Sequence, residues 1–468
     1  MTFEIVLRDA TLIVPGSPRV RGDVGIRDGK IAAITSPRQL PDGLETIPAN
    51  GRPLLPGVID AHTHLGYWGE FEREMETETM GAAVGGVTTA ILMLKMKNLP
   101  PRLADKPSYL DVFDEFNSII KRHSLIDMAF RPYPLTRRHL DDIPSYVSHL
   151  GSRGFKFIMH FKEGGLEAKM SGAHALDDGT LLDAFRRVAA AGGIAVVHAE
   201  NQDVIDHCSA LLQAQGRDDL VAWAHARPQV NEVEAIQRAS LLAHSVQCPL
   251  YIAHVSATAS VEFLRRAKED GRMIRAETCP HYLAVTQDDP IGKLAKQKPP
   301  IRDRETQDQL WRALREGVLD IVSSDHMPSR RLDRQRESIW TCQWGFPAIE
   351  TLLPLMISEG VHTGRLSLER LVELCSLNPA RIFGLYPQKG HLGIGADADV
   401  ILLDLDKRVT VHQREFPSSS DFSLYEGREV VGWPALSMVR GRIIMRDGVV
   451  VTNTAGGGRY VRQTDLQL

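Results

Sequence analysis

Short apolar and polar runs alternate at both ends of the chain. The first fifty residues form such runs between turn residues, and Asp28-Gly29 in GDVGIRDGKIAAI stands between two of them as a hairpin signal. The same pattern returns near the other end, where Asp447-Gly448 again separates two apolar runs. We therefore expect a small antiparallel β-domain that is built from both termini.

In the middle of the chain, short apolar runs alternate with stretches of helical periodicity. Eight such runs span residues 54–60, 87–94, 126–133, 154–160, 193–198, 249–254, 272–278 and 318–325. Strands that alternate with helices are typical of βα units, and eight of them favour a (β/α)8 barrel. The predicted fold class is α/β, a TIM-type barrel over residues 55–385 with a small β-sandwich domain formed by residues 1–54 and 386–468.

Composition and charge exclude several classes of protein. The 468 residues are 43% hydrophobic and 24% charged, which is typical of a soluble globular protein. A net charge of −4 without a dense basic run argues against nucleic acid or an anionic membrane as partner. Five scattered cysteines without a CxxC pair argue against a disulfide framework and a zinc knuckle. Because the first residues lack a secretory signal and no apolar run reaches the roughly 20 residues of a membrane helix, we expect a cytoplasmic protein.

Residue types that bind divalent metals stand at the ends of several predicted strands. They are His62 and His64 after the first strand, His198 at the end of the fifth, His254 at the end of the sixth and Asp325 at the end of the eighth. In a βα barrel these ends meet at one rim, where such folds place their active sites. A single histidine at a strand end is more often structural, and an HxH triplet alone is weak support in a chain with 17 histidines. Together, however, the four strands predict a metal site.

Lys156 is the most informative position in this set. The run FKFIMHF is otherwise apolar, and an unpaired ammonium in a buried strand costs much free energy. Desolvation lowers the pKa of a lysine and leaves a nucleophilic amine. Such an amine can take up carbon dioxide and become a carbamate, an anion that bridges two cations. The alternative is a lysine at the rim whose ammonium reaches solvent.

Several longer motifs follow one another along the chain: PGVIDAHTHL, GFKFIMHF, VVHAEN, YIAHVS, ETCPHYL, KPPIRD and SSDHMP, then LNPARIFGL and KGHLGIGADADVILLD. In this order they resemble the cyclic amidohydrolases, which are the hydantoinases, dihydropyrimidinases, allantoinases and bacterial dihydroorotases. The resemblance covers nearly the whole chain, and it is more specific for the superfamily than for a substrate. It also implies a homo-oligomer, a dimer or a tetramer.

The resemblance further implies a binuclear centre with two divalent metal ions per subunit. The expected ligands are His62, His64 and Asp325 for one ion, His198 and His254 for the other, and carboxylated Lys156 between them. Zinc is the first expectation, with manganese, cobalt and iron as alternatives. Asp325 would be the catalytic residue that takes a proton from the attacking hydroxide and passes it to the departing ring nitrogen. Glu200 and Asn201, which follow His198, are expected to orient a ligand or cap a helix.

Three positions depart from patterns within this family. Bacterial dihydroorotases usually hold the substrate carboxylate with an arginine and an asparagine, where this chain has Gly66 and the stretch around Lys95. Dihydroorotate is therefore disfavoured unless Lys95 replaces the arginine. Hydantoinases typically place a tyrosine five residues after the bridging lysine to assist the oxyanion, and this chain has Phe161 there. Tyr67, His160 or a backbone N–H are the alternative donors.

Other loop residues are candidates for substrate binding. Hydantoinases contact the ring with main-chain groups near Ser-Pro-Pro and Asn-Gly segments, and the matching segments here are Lys298-Pro299-Pro300 and Trp344-Gly345. Aromatic residues on rim loops favour an apolar pocket for a bulky ring substituent, with loop packing as the alternative. The predicted substrate-binding residues are Tyr67, Phe161, Lys298, Trp344 and Gly345.

The sequence thus predicts a metal-dependent hydrolase that opens the cyclic amide C–N bond of a small neutral ureide or imide, as hydantoinases and dihydropyrimidinases do. Allantoinase is the alternative, because allantoinases also lack the oxyanion tyrosine and have segments similar to ETCPHY and PPIRD. A dihydroorotase is less expected. A mononuclear deaminase of the superfamily is disfavoured by Lys156, and a non-catalytic dihydropyrimidinase-related scaffold is disfavoured because every candidate ligand is present.

Overall fold

The computed structural model describes residues 2–159, 177–335, 338–451 and 456–468. Its strands fall into two systems, one from the chain ends and one from the middle. The strands of the chain ends are β1 Ile5–Leu12, β2 Val20–Arg27, β3 Lys30–Thr35, β4 Glu45–Pro48, β5 Pro53–Pro56, β14 Val400–Thr410, β15 Glu429–Val439, β16 Arg442–Arg446 and β17 Val449–Val450. The strands of the middle are β6 Val58–Thr63, β7 Val87–Leu94, β8 Asp127–Pro132, β9 Gly154–Ile158, β10 Ile194–His198, β11 Leu250–Ile252, β12 Ile274–Thr278 and β13 Ile321–Val322.

Strands β6 to β13 form the predicted barrel. They run parallel in two hydrogen-bonded groups, β6-β7-β8 and β9-β10-β11-β12-β13. Between the groups, the Ser152 hydroxyl just before β9 donates to the Phe130 carbonyl of β8 at 3.0 Å. At the other junction, the His64 N–H donates to the His326 carbonyl at 2.7 Å and joins the segment after β13 to β6. The carboxyl ends of all eight strands therefore meet at one rim.

The helices pack around these strands. Those of eight or more residues in the described ranges are α1 Phe71–Val84, α2 Phe113–His123, α3 Asp178–Ala190, α4 Gln202–Ala214, α5 Gln229–Ser245, α6 Thr258–Glu269 and α7 Arg304–Glu316. The short α-helical segments are Pro101–Ala104, Arg137–Asp141, Ile143–Ser145, Leu220–His225, Pro280–Ala284, Leu332–Gln335, Leu352–Leu355, Leu368–Val372 and Asn378–Ile382. Asn201 caps α4, as predicted, because its side chain accepts from the N–H groups of Asp203 and Val204. Among the described residues, no helix has the length and apolar character needed to cross a membrane.

The strands of both chain ends join in one nine-stranded sheet. Its order is β17-β16-β15-β14-β5-β1-β2-β3, with β4 beside β1. Strand β5 pairs in parallel with β1 and antiparallel with β14, which joins the N-terminal strands to the C-terminal ones. Asp28-Gly29 and Asp447-Gly448 make the predicted hairpin turns, and all four residues have positive φ. The β-domain built from both termini is confirmed, and its boundaries stay a prediction.

A buried ion cluster joins the barrel to the β-domain. The Lys389 ammonium lies 2.8 Å from Asp127 at the start of β8, and 3.1 and 2.5 Å from Asp397 and Asp399 before β14. Arg440 also pairs with Asp127. These three carboxylates stand close enough to hold a metal ion. The chain itself supplies three cations to these carboxylates, because Lys389 lies among them, Arg440 pairs with Asp127 and Lys30 pairs with Asp397.

Candidate metal centre

The six predicted metal ligands line one cavity at the carboxyl rim of the barrel, and all six are buried. They are His62 in β6, Lys156 in the middle of β9, His198 at the end of β10, and His64, His254 and Asp325 in the segments after β6, β11 and β13. The cavity has an empty volume of about 480 Å³. Residues that lie up to 263 positions apart thus meet because parallel strands end together.

His62, His64 and Asp325 form one half of this cluster. The Nε2 atoms of His62 and His64 lie 3.3 and 3.2 Å from the same atom, Asp325 Oδ1. One ligand atom from each residue lies within 4.8 Å of the other two. Two imidazole nitrogens and a carboxylate oxygen that converge in this way are a donor set typical of zinc and similar ions.

His198, His254 and Lys156 form the other half. The ring centroids of His198 and His254 are 4.4 Å apart, and that of His62 is 5.3 Å from His254. Lys156 Nζ and His254 Nδ1 are buried, and neither has a hydrogen-bond partner among the described residues. Buried nitrogen atoms are rarely left in that state, so these orphaned atoms fit ligands of a bound cation. The residues present therefore fit a binuclear metal centre.

The electrostatics of the cavity favour the neutral forms of His62, His64, His254 and Lys156. Burial, assisted by the nearby Lys156 ammonium, lowers the pKa of His62 and of His64. Burial and the neighbouring His198 do the same to the pKa of His254. Burial also lowers the pKa of Lys156, to about 8. A neutral imidazole binds metal and a neutral amine reacts with carbon dioxide, so these shifts favour the predicted roles.

Hydrogen bonds to neighbouring carboxylates fix the orientation of two of the histidine ligands. Glu200 lies 2.7 Å from His198 Nε2, as predicted for a residue that orients a ligand. Glu277, in β12, accepts from His62 Nδ1 and from the Tyr251 hydroxyl, the latter at 2.6 Å. The sequence reasoning missed Glu277, although a carboxylate near the end of a predicted strand was a signal for it.

Gln297 also orients a ligand. Its amide donates to Asp325 Oδ2 at 2.7 Å, which leaves Oδ1 facing the two histidines. Nothing in the sequence distinguished Gln297 except its place beside Lys298.

The backbone turns sharply at two of the ligands. His254 and Asp325 have φ values of 41° and 51°, in the left-handed region that non-glycine residues rarely adopt. Each such residue costs about 1–3 kcal/mol, and they concentrate at functional sites. Here the turn ends the strand and directs the side chain to the cavity.

The predicted substrate-binding residues are only partly brought together. Tyr67, Lys298 and Trp344 line the cavity, and so do Lys95 and Tyr133. Phe161 lies outside the described residues. Gly345 is absent from the lining in the described part of the chain; its N–H donates to the Lys296 carbonyl, and its own carbonyl accepts from the Ser329 hydroxyl.

The backbone at Gly66 does not accommodate a side chain such as the arginine expected in a dihydroorotase. The φ of Gly66 is 73°, and a Cβ atom at this position would lie 2.2 Å from the Asn98 carbonyl oxygen. A side chain would therefore require both a strained backbone and a shift of the neighbouring loop.

Comparisons with known proteins agree with this architecture. Residues 152–444 match the sequence profile described as the Amidohydrolase family. The chain is 34% identical to the L-hydantoinase of Paenarthrobacter aurescens over 99% of both chains. It is 33% identical to the allantoinase of Deinococcus radiodurans over 96% of both. The crystal structure of dihydropyrimidinase from Brevibacillus agri superposes with a TM-score of 0.88 at 31% identity, over 98% of this chain and 99% of that one.

Proposed function

The chain belongs to the cyclic amidohydrolase family of the amidohydrolase superfamily, and from this premise we propose that it hydrolyses the cyclic amide C–N bond of a neutral cyclic ureide or imide, as hydantoinases and dihydropyrimidinases do. The observation that carries the proposal is the convergence of six buried ligand-type side chains on one cavity. Buried nitrogen atoms without hydrogen-bond partners and ligands with positive φ both cost free energy of folding, and a non-catalytic scaffold would not require them.

In this proposal the six side chains hold two divalent ions, with zinc as the first candidate. The side chains of His62, His64, His198, His254 and Asp325 and the carbamate of Lys156 would hold these ions. Lys156 forms that carbamate when its neutral amine adds to carbon dioxide and releases a proton. When bound, such a pair of ions polarises the carbonyl under attack and activates water near neutral pH.

Asp325 moves the proton in the reaction that we propose. Its carboxylate takes a proton from the attacking water and delivers it to the ring nitrogen as the C–N bond breaks. The products are a carboxylate and an open-chain amide, ureide or amine. Gln297 holds Asp325 Oδ2 at 2.7 Å, so the proton-carrying side chain keeps one orientation through the reaction.

Tyr67 is the candidate donor to the developing oxyanion. Phe161 has no hydroxyl for this task, whereas the Tyr67 ring lies 5.2 Å from that of His64, edge to face, on the cavity wall. A preorganised hydroxyl there would stabilise charge that develops on the attacked carbonyl oxygen.

Allantoin hydrolysis is the second candidate, supported by the allantoinase relative at 33% identity. The aromatic side chains of Tyr67, Tyr133 and Trp344 on the cavity wall favour a less polar ring than allantoin. From the family resemblance we also propose a homo-oligomer, a dimer or a tetramer. The cytoplasm is the location that we propose for it, as expected from the sequence.

Ring opening by purified, zinc- or manganese-loaded protein tests this function. The panel is hydantoin, phenylhydantoin, dihydrouracil, allantoin, dihydroorotate and succinimide, followed by the loss of ring absorbance. We expect hydantoins or dihydrouracil to open fastest. Fastest opening of allantoin would favour the second candidate. A protein that binds two ions and opens none of the neutral rings would refute the proposed function.

A further inference from the structure

A tryptophan and an arginine outside the cavity connect its two halves. Trp223 belongs to the short helix Leu220–His225, and Arg227 follows shortly after that helix. Both side chains are buried, and in the described part of the chain neither lines the cavity. The guanidinium carbon of Arg227 lies 3.5 Å from the centroid of the Trp223 ring, so the two groups form a cation–π pair. We call this pair the Trp223–Arg227 stack.

One side of the stack leads to Asp325. The indole N–H of Trp223 donates to the Gln297 carbonyl at 2.8 Å. The Gln297 side chain in turn donates to Asp325 Oδ2 at 2.7 Å. The ammonium of the preceding residue, Lys296, lies 4.3 Å from the Trp223 centroid, so the ring contacts two successive residues of this segment. Trp223 therefore fixes the backbone from which Gln297 reaches the carboxylate.

The other side of the stack leads to His198. Arg227 Nε lies 3.6 Å from Glu200 Oε1, and Glu200 Oε2 lies 2.7 Å from His198 Nε2. Burial lowers the pKa of Arg227 to about 10, so the guanidinium is still charged at neutral pH. A cation at this distance attracts the carboxylate and limits its movement. Arg227 therefore steadies the carboxylate that orients His198.

A packing role alone does not account for Arg227. Its Nε and Nη1 atoms are buried and have no hydrogen-bond partner among the described residues. Buried donors in that state cost free energy of folding, and an apolar side chain would fill the same space at a lower cost. The charge beside Glu200 is what an apolar side chain would not supply.

We propose that Trp223 and Arg227 are positioning residues that fix Asp325 and His198 relative to each other, so that one buried stack orders both halves of the metal centre. The inference rests on the proposed function, because it assigns these side chains to the binuclear centre. Loss of the Trp223 N–H should loosen Asp325, and loss of the Arg227 charge should loosen His198.

Zinc affinity tests the Trp223 contact without a substrate. Trp223→Phe keeps an aromatic ring against Arg227 and removes the N–H donor. We expect zinc affinity, measured by competition with a chromophoric chelator, to fall about tenfold, the lower end of the loss seen when a metal ligand loses its hydrogen-bonded partner. Trp340→Phe is the matched control, because the Trp340 ring lies 6.0 Å from that of Trp223 but its N–H donates to the Arg217 carbonyl, at 2.9 Å. The control should bind zinc like the wild type, and equal zinc affinities in the two folded variants would overturn the inference.

Two variants of Arg227 separate its charge from its packing. Arg227→Met removes the cation, and Arg227→Lys keeps a cation near Glu200. We expect the methionine variant to bind zinc about tenfold more weakly and the lysine variant to regain most of that loss. Zinc affinities that are equal in the two variants would mean that the charge has no role, and would overturn the inference.

The spectrum of bound cobalt and the steady-state kinetics report the geometry of the centre itself. Cobalt(II) absorbs visible light, and its spectrum depends on the arrangement of its ligands. We expect Trp223→Phe to change this spectrum and to lower kcat for hydantoin about tenfold with KM within about twofold, because the proton transfer by Asp325 belongs to the transition state. A Trp223→Phe protein with the cobalt spectrum and kcat of the wild type would overturn the inference. If the wild type opens no ring while Trp223→Phe still weakens zinc binding, the proposed function fails and the positioning role stands.

Discussion

Glu277 fixes the orientation of His62, and its replacement tests how the metal centre is built. Oε1 accepts from His62 Nδ1 and, at 3.2 Å, from the backbone N–H of His254, while Oε2 accepts from the Tyr251 hydroxyl. With Nδ1 protonated against a carboxylate, the His62 Nε2 lone pair points toward Asp325. The Glu277→Gln variant keeps the shape and removes the negative charge.

The expected loss of metal affinity in the Glu277→Gln variant follows from these contacts. Loss of a hydrogen-bonded partner of a metal-binding histidine typically weakens metal affinity about 10- to 100-fold. This corresponds to about 1.4–2.8 kcal/mol of binding free energy. Because an amide still bonds to His62 and Tyr251, we expect the folded state to survive and the loss to appear in metal binding.

Competition with a chromophoric chelator measures this affinity for zinc in the wild type and in Glu277→Gln. Asp142→Asn is the matched control, since Asp142 is also a buried carboxylate but bonds to Ser108 and Arg138, away from the cavity. We expect the control to bind zinc like the wild type. An unchanged zinc affinity in a folded Glu277→Gln protein would refute the role of Glu277.

Three further predictions concern Lys156, the ion cluster around Lys389 and the loop after β6. Lys156→Ala should lose bound metal and ring opening together; an active, fully metallated variant, seen by metal analysis and assay, would contradict the bridging role. Lys389→Met should lower the free energy of unfolding by about 3–5 kcal/mol, because it leaves buried carboxylates without their ammonium, and a urea midpoint like that of the wild type would disprove this. Gly66→Ala should lower the melting temperature, because its Cβ would meet the Asn98 carbonyl at 2.2 Å; an unchanged midpoint in calorimetry would count against that crowding.

The metal cluster was predictable because it depends on strand order alone. Once eight apolar runs are assigned to parallel strands, His62, His198 and Asp325 must share one rim. The exact strand ends were not predictable in the same way. The run 318–325 is strand only at Ile321–Val322, and the run 249–254 only at Leu250–Ile252. The strand hydrogen bonds end before His254 and Asp325, which both have positive φ. The pattern of hydrophobic and polar residues contains no signal for such a turn.

The surroundings of the cluster depend on tertiary packing and could not be predicted. Glu277 reaches His62 from β12, a strand that is separated from β6 by β13. The rings of Tyr67 and Trp68 lie near that of Trp344, which belongs to a loop far away in the sequence, and only the folded chain shows this arrangement. Gly345 was expected to offer main-chain groups to the ring, but its N–H and carbonyl bond to Lys296 and Ser329. Its predicted role stays untested.

The most direct test of the account is a metal count and a ring-opening assay on one preparation of the protein, before and after treatment with a chelator. Two ions per chain and hydantoin opening that is lost on chelation and restored by added zinc are the predicted results. Full activity with a single ion per chain would contradict the binuclear centre. Ring opening that persists in the metal-free protein would contradict the account as a whole.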